Sequence, residues 1–162
     1  MERDAFVARF ADIYEHSAWI AEAVYDRGLS GREDSADGLA EAMGTVLAGA
    51  DDEAKLRLIR AHPDLAGRAA IAGDLTTSSK SEQAGAGLDQ CTPDEFRRFQ
   101  GLNDGYKTKF GFPFILAVAG RDRHQILDAF EERIRNDPAE EFREALRQID
   151  RIARLRLQAM EG

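Results

Sequence analysis

Cysteine is almost missing from this chain: Cys91 is alone among 162 residues. An intrachain disulfide is therefore impossible, and the four-ligand zinc patterns built on paired thiolates are excluded. Basic excess is missing too. Lys and Arg number 22 against 30 Asp and Glu, a formal net charge of -8, and no basic stripe offers a phosphate backbone a path, so nucleic acid is not an expected partner. No apolar run approaches the roughly 20 residues of a spanning helix, and Met1-Glu2-Arg3-Asp4 has no signal-peptide core. The end, Ala159-Met160-Glu161-Gly162, is not a peroxisomal address. A cytoplasmic location without membrane contact is expected. The chain also has no His-Glu-x-x-His, no Gly-x-Ser-x-Gly, no phosphate-cradling loop with Lys and no dinucleotide fingerprint, so the expected chemistry uses neither metal nor cofactor.

With 43% hydrophobic and 32% charged residues, the chain is sized and composed for one domain over 1–162. Helical spacing predominates. Phe6, Phe10, Ile13 and Tyr14 form one stripe, and Ser17 is placed to cap a second helix through Ile20 and Val24 that Gly28 ends. Leu39, Met43, Val46 and Leu47 form a third stripe. Asp51 caps a fourth helix that Pro63 must interrupt. Residues 64–87, rich in Ala, Gly, Ser and Thr, predict close turns and short helical pieces. Thr92-Pro93-Asp94-Glu95 is a strong helix start, and Gly111 its stop. Residues 112–118 are apolar, lack helical spacing and contain Pro113, which reads as a buried extended connector. Helices over 122–135 and 138–160 complete an all-α domain of about seven or eight helices, the last opened by a capping box at Asp137 and Glu140.

Acid–base chemistry near neutrality singles out His62, where a helix ends and Pro63 turns the backbone off the helical path. A half-buried histidine bonded to a carbonyl is the plain alternative. His16 and His124 have no partner at a telling spacing and read as structural or solvated. Glu82 is a carboxylate beside the amide of Gln83, followed by Gly85 and Gly87, which leave room for close approach. It also fits a capping box begun by Ser79. Arg156 falls in the middle of the stripe made by Phe142, Ile149, Ile152, Ala153 and Met160. Either its head snorkels to water, or it meets an anion such as a substrate carboxylate. Cys91 reads as a small packing residue.

Three segments in order, His62-Pro63-Asp64-Leu65-Ala66-Gly67, Ser79-Lys80-Ser81-Glu82-Gln83 and Lys109-Phe110-Gly111-Phe112-Pro113-Phe114-Ile115, resemble the 2-oxo-4-hydroxy-4-carboxy-5-ureidoimidazoline (OHCU) decarboxylase family over nearly the whole chain. The resemblance implies a carboxy-lyase of urate catabolism that forms (S)-allantoin without a cofactor, and a homodimer. It implies that His62 and Glu82 are catalytic. Pro63, Ser79 and Gln83 would line the substrate ring, with Phe114, Ile115, Leu116, Ala117 and Val118 lending backbone groups and Arg156 binding an anionic or carbonyl oxygen. Ala18 stands where many relatives have Pro. Two other functions fit the same residues: an inactive helical relative acting as an interaction module, and a decarboxylase of a related ureido acid.

Overall fold

The structure, a computed structural model, describes residues 1–67 and 75–161. Eight α-helices run in order among them: α1 Arg3–Phe10, α2 Trp19–Asp26, α3 Ala36–Ala48, α4 Asp52–Arg60, α5 Thr77–Gly85, α6 Pro93–Phe110, α7 Arg123–Arg133 and α8 Pro138–Glu161. Short 3-10 turns occupy Arg32–Asp34 and Leu88–Gln90, and no strand occurs among the described residues. No helix there is long and apolar enough to cross a membrane. The expected all-α class holds. The residues gather into two compact units, Met1–Ala61 with Ile149–Gly162, and His62–Gln148.

In the first unit α1 packs on α2 and α2 on α3. The predicted third stripe, Leu39, Met43, Val46 and Leu47, is buried in full. The first helix is shorter than its apolar spacing implied: it stops at Phe10, and Ile13 and Tyr14 are buried from the turn that follows. Ser17 does not cap α2. Its hydroxyl donates to Glu15 O at 2.8 Å, and the cap position falls to Ala18, which makes no side-chain cap bond. Gly28 ends α2 with φ +94, as its place in the sequence requires. Gly38 is demanded by close approach, because a Cβ there would sit 1.7 Å from Arg32 O.

The second unit is built around rings. Phe99, Tyr106, Phe114 and Phe130 are buried together with Leu116, Ile126 and Leu127, and each such ring contributes roughly 1.5–3 kcal/mol by leaving water. Phe114 stacks on Phe130 with centroids 3.9 Å apart, and Tyr106 meets both edge-on. The cap of α6 is the predicted kind. Thr92 and Glu95 close a full capping box, Asp122 and Gln125 another, and Gly111 leaves α6 with φ +78. Asp137 accepts from Glu140 N at 2.9 Å to open α8. Cys91 packs against this core, and burial, with the Glu95 carboxylate nearby, raises its thiol pKa and keeps it protonated near neutrality, as suits a packing residue.

Candidate active site

All but one of the residues singled out by sequence belong to the second unit. His62 and Pro63 lie two and three residues beyond the end of α4, both half-buried, with His62 in a bend. The chain then turns through Asp64, Leu65, Ala66 and Gly67 with little freedom. Ala66 holds φ +51, the left-handed region that a side chain disfavours by about 1–3 kcal/mol. Gly67 admits no side chain, since a Cβ there would lie 2.5 Å from Cβ of Asp64.

Helix α5 begins earlier than the Ser79-x-x-Glu82 spacing implied. Thr76 is the cap, accepting from Ser79 N at 3.2 Å, so Ser79 and Glu82 are interior helical residues and the capping-box account of Glu82 falls away. Ser79 and Gln83, four apart, share the buried face, and Glu82 sits half-buried beside them. The Gln83 amide faces the His62 loop: its Oε1 accepts from Ala66 N at 3.0 Å and its Nε2 donates to Asp64 O at 3.3 Å. These two bonds set the residue after Glu82 against the residues two and four beyond His62. The imidazole and the carboxylate thereby come from neighbouring stretches of one unit.

Residues 112–118 form the expected buried connector, every one of them buried and none in a strand. Its backbone is unevenly partnered. Ala117 N donates to Gln148 Oε1 at 3.0 Å, Val118 O accepts from Arg121 N, and Ile115 O accepts from Arg133 Nη1. Among the described residues the N–H groups of Phe114, Ile115, Leu116 and Val118 have no acceptor. Buried backbone donors without acceptors are rare, because each costs about 1–3 kcal/mol in lost hydration. An oxygen-rich ligand would satisfy them.

Arg133 holds this connector, and nothing in its surroundings in the sequence marks it. At the end of α7 its guanidinium grips Glu141 through Nε at 3.0 and 3.1 Å and Nη2 at 2.8 Å. Its Cζ also lies 4.6 Å from the Phe114 ring centroid. Tyr106 adds its hydroxyl to Glu141 at 3.0 Å; burial first, then the neighbouring carboxylate, raises the phenol pKa. In the sequence Arg133 and Glu141 sit in charged runs that read as solvated surface.

Arg156 lies in the first unit, on α8, and is 8% exposed. The anion that its place on an apolar stripe demands is supplied within the chain: Nη2 donates to Glu15 Oε1 at 2.8 Å and Nη1 to Ile13 O at 3.3 Å. Snorkelling is not its arrangement. Glu15, 2% exposed, gave no signal in the sequence, since it stands 141 residues away.

An all-helical chain that sets an imidazole, a carboxylate and open backbone donors in one unit has the parts of an acid–base enzyme for a small polar substrate. The sequence model of the OHCU decarboxylase family matches residues 1–158, and the chain belongs to that family. It is 40% identical to the 2-oxo-4-hydroxy-4-carboxy-5-ureidoimidazoline decarboxylase of Halalkalicoccus jeotgali, over 98% of this chain and 86% of the relative. The enzyme of the same name from Haloferax volcanii is 41% identical, over 97% and 89%. Among solved structures, that of (S)-allantoin synthase superposes with a TM-score of 0.76 at 32% identity, covering 98% of this chain and 50% of that one.

Proposed function

We propose that this protein decarboxylates 2-oxo-4-hydroxy-4-carboxy-5-ureidoimidazoline to (S)-allantoin in urate degradation. The observation that carries the reaction is the family match over residues 1–158. The C–C bond to the carboxylate breaks, carbon dioxide leaves, and the electron pair enters the substrate's own conjugated ring. One proton must then reach one face of the product. No external electron sink is required, so the protein's work is to orient and to move protons.

His62 and Glu82 are assigned to the proton movements, which suits their placement on adjoining stretches of the second unit. Pro63 and Ser79 line the ring. The open N–H groups of Phe114, Ile115, Leu116 and Val118 receive substrate oxygen, an arrangement that favours negative charge as it develops because the donors are already fixed. Ala117 contributes through its place in that connector, its own N–H being held by Gln148. Gln83 serves the site through the His62 loop that its amide holds. Arg156 is assigned to the substrate's negative charge, beside its bond to Glu15. A homodimer in the cytoplasm completes the reading, on the strength of the family resemblance and the acidic, single-cysteine composition.

The decisive assay mixes urate, a urate oxidase and a hydroxyisourate hydrolase with and without this protein and follows optical activity. Faster appearance of (S)-allantoin is the expected result, and an unchanged rate overturns the reading. His62→Ala then tests the assigned role. Removing a positioned acid or base lowers the rate about 10²- to 10⁴-fold, with the melting temperature little changed. A variant that melts early yet keeps its rate per folded molecule would make His62 a structural residue.

A further inference from the structure

The turn that follows His62 is held in an unfavourable conformation by side chains from two helices. Ala66, with φ +51, is a non-glycine residue in the left-handed region, and both of its backbone polar groups are taken. Its N–H donates to Gln83 Oε1 on α5 at 3.0 Å, and its carbonyl accepts from Gln100 Nε2 on α6 at 3.0 Å. One residue earlier, Leu65 O accepts from Asn103 Nδ2 at 3.0 Å; one before that, Asp64 is paired with Lys107 at 2.7 Å. Gln100, Asn103 and Lys107 are spaced by three and four, so a single face of α6 presents all three donors to residues 64–66. The turn makes no backbone–backbone hydrogen bond of its own among the described residues. Left to local preference, Ala66 would leave the left-handed region and rotate the chain that carries Pro63 and His62.

We infer that Gln100 is a positioning residue for the reaction: by bonding the Ala66 carbonyl it keeps the turn left-handed and so fixes where His62 stands. The inference rests on the decarboxylase reading for its kinetic consequence. Gln100 is the clean place to test it, because Gln83 adjoins Glu82 and Asn103 is buried, whereas Gln100 is half-buried and touches the turn through one bond. A strained conformation persists only where its surroundings hold it. Removing one support should therefore loosen the turn without unfolding the helix.

The experiment compares the wild type, Gln100→Leu, Ala66→Gly and the double variant. Gln100→Leu should lower kcat about tenfold with KM within about twofold, because the group lost orients a reacting residue rather than binding substrate. Glycine adopts the left-handed region without steric cost, so Ala66→Gly in the Gln100→Leu background should restore most of the lost kcat. Amide hydrogen exchange at residue 66, read independently of activity, should quicken about three- to tenfold in Gln100→Leu, the range one net hydrogen bond implies. An unchanged kcat, a fall in melting temperature with the rate per folded molecule intact, or a double variant no better than the single one would each overturn the inference. Should the wild type prove inactive, the decarboxylase reading falls. Exchange at Ala66 then decides alone, and the same rate in wild type and Gln100→Leu overturns the clamp.

Discussion

Among the described residues each unit buries one arginine against one glutamate, and the two pairs are made differently. Around Arg133, in the second unit, three guanidinium–carboxylate contacts, a tyrosine hydroxyl on the same carboxylate, the Ile115 carbonyl and the Phe114 ring leave little of either charge unanswered. Around Arg156, in the first unit, one contact of 2.8 Å to Glu15 is accompanied by backbone carbonyl contacts at 3.3 and 3.4 Å. A buried charge pair offsets its desolvation only when the geometry is good and the remaining donors and acceptors are met. The first pair satisfies that condition as a structural joint, tying α7, α8 and the connector together. The second joins Glu15 and the carbonyls of residues 12 and 13 to α8, and stands beside a strained turn at His16, φ +48. The Arg133 pair is a joint of the fold, whereas for Arg156 a role toward the substrate is proposed above.

The sharpest way to break that contrast is to cut the structural pair. Glu141→Ala leaves the Arg133 guanidinium buried without its carboxylate, a change that typically costs about 3–5 kcal/mol, or roughly 6–20 °C in melting temperature for a chain of this size. Denaturant unfolding of Glu141→Ala beside Glu141→Gln measures it. The amide keeps the shape and half the acceptors and should lose less. A loss under about 1 kcal/mol in the alanine variant would show that the pair carries little of the fold and would remove the distinction.

A smaller effect, of another kind, is expected at Arg156. Lysine keeps the positive charge opposite Glu15 but cannot present two parallel donors, so Arg156→Lys should lower kcat/KM about tenfold with only a modest change in melting temperature. Steady-state kinetics across substrate concentration, with a thermal melt of the same sample, separates the outcomes. Near-normal kinetics with a marked loss of stability would make Arg156 a structural residue like Arg133, and the two pairs would then differ only in degree.

What could be read in advance divides along physical lines. Helix ends signalled by local chemistry were legible: Asp51, Thr92 and Gly111 do what their neighbours in sequence require, because capping acts over three or four residues. Ser17 and Ser79 were misleading for the same reason. Each has the right side chain at the right spacing, but a tertiary or neighbouring claim prevails, Ser17 bonding Glu15 O and Thr76 capping α5 in place of Ser79. Arg156 stood out on a helical wheel, where a charge in an apolar stripe is visible. Its partner did not, since Glu15 is distant in the chain. Arg133, Glu141 and Gln100 gave no sign at all. They lie in polar runs that any solvated helix carries, and only the folded chain shows that Glu141 is 0% exposed or that the Gln100 amide reaches Ala66.

The smallest expected effect concerns the turn beside Glu15, next to the Arg156 pair. His16 is exposed, and its left-handed backbone costs about 1–3 kcal/mol, histidine being among the residues that tolerate the region best. Glycine would relieve that cost, while the extra freedom it gives the unfolded chain offsets about 0.4–1 kcal/mol of the gain. His16→Gly should therefore raise stability by about 0.5 kcal/mol at neutral pH, measured as a shifted denaturant midpoint with unchanged slope. The imidazole Nε2 lies 4.0 Å from the Glu15 carboxylate, a contact that the glycine variant loses. A loss of stability at neutral pH would mean that the His16 side chain outweighs its backbone strain. Glu15 and Arg156 would then belong to a larger held cluster, closer in kind to the one around Arg133.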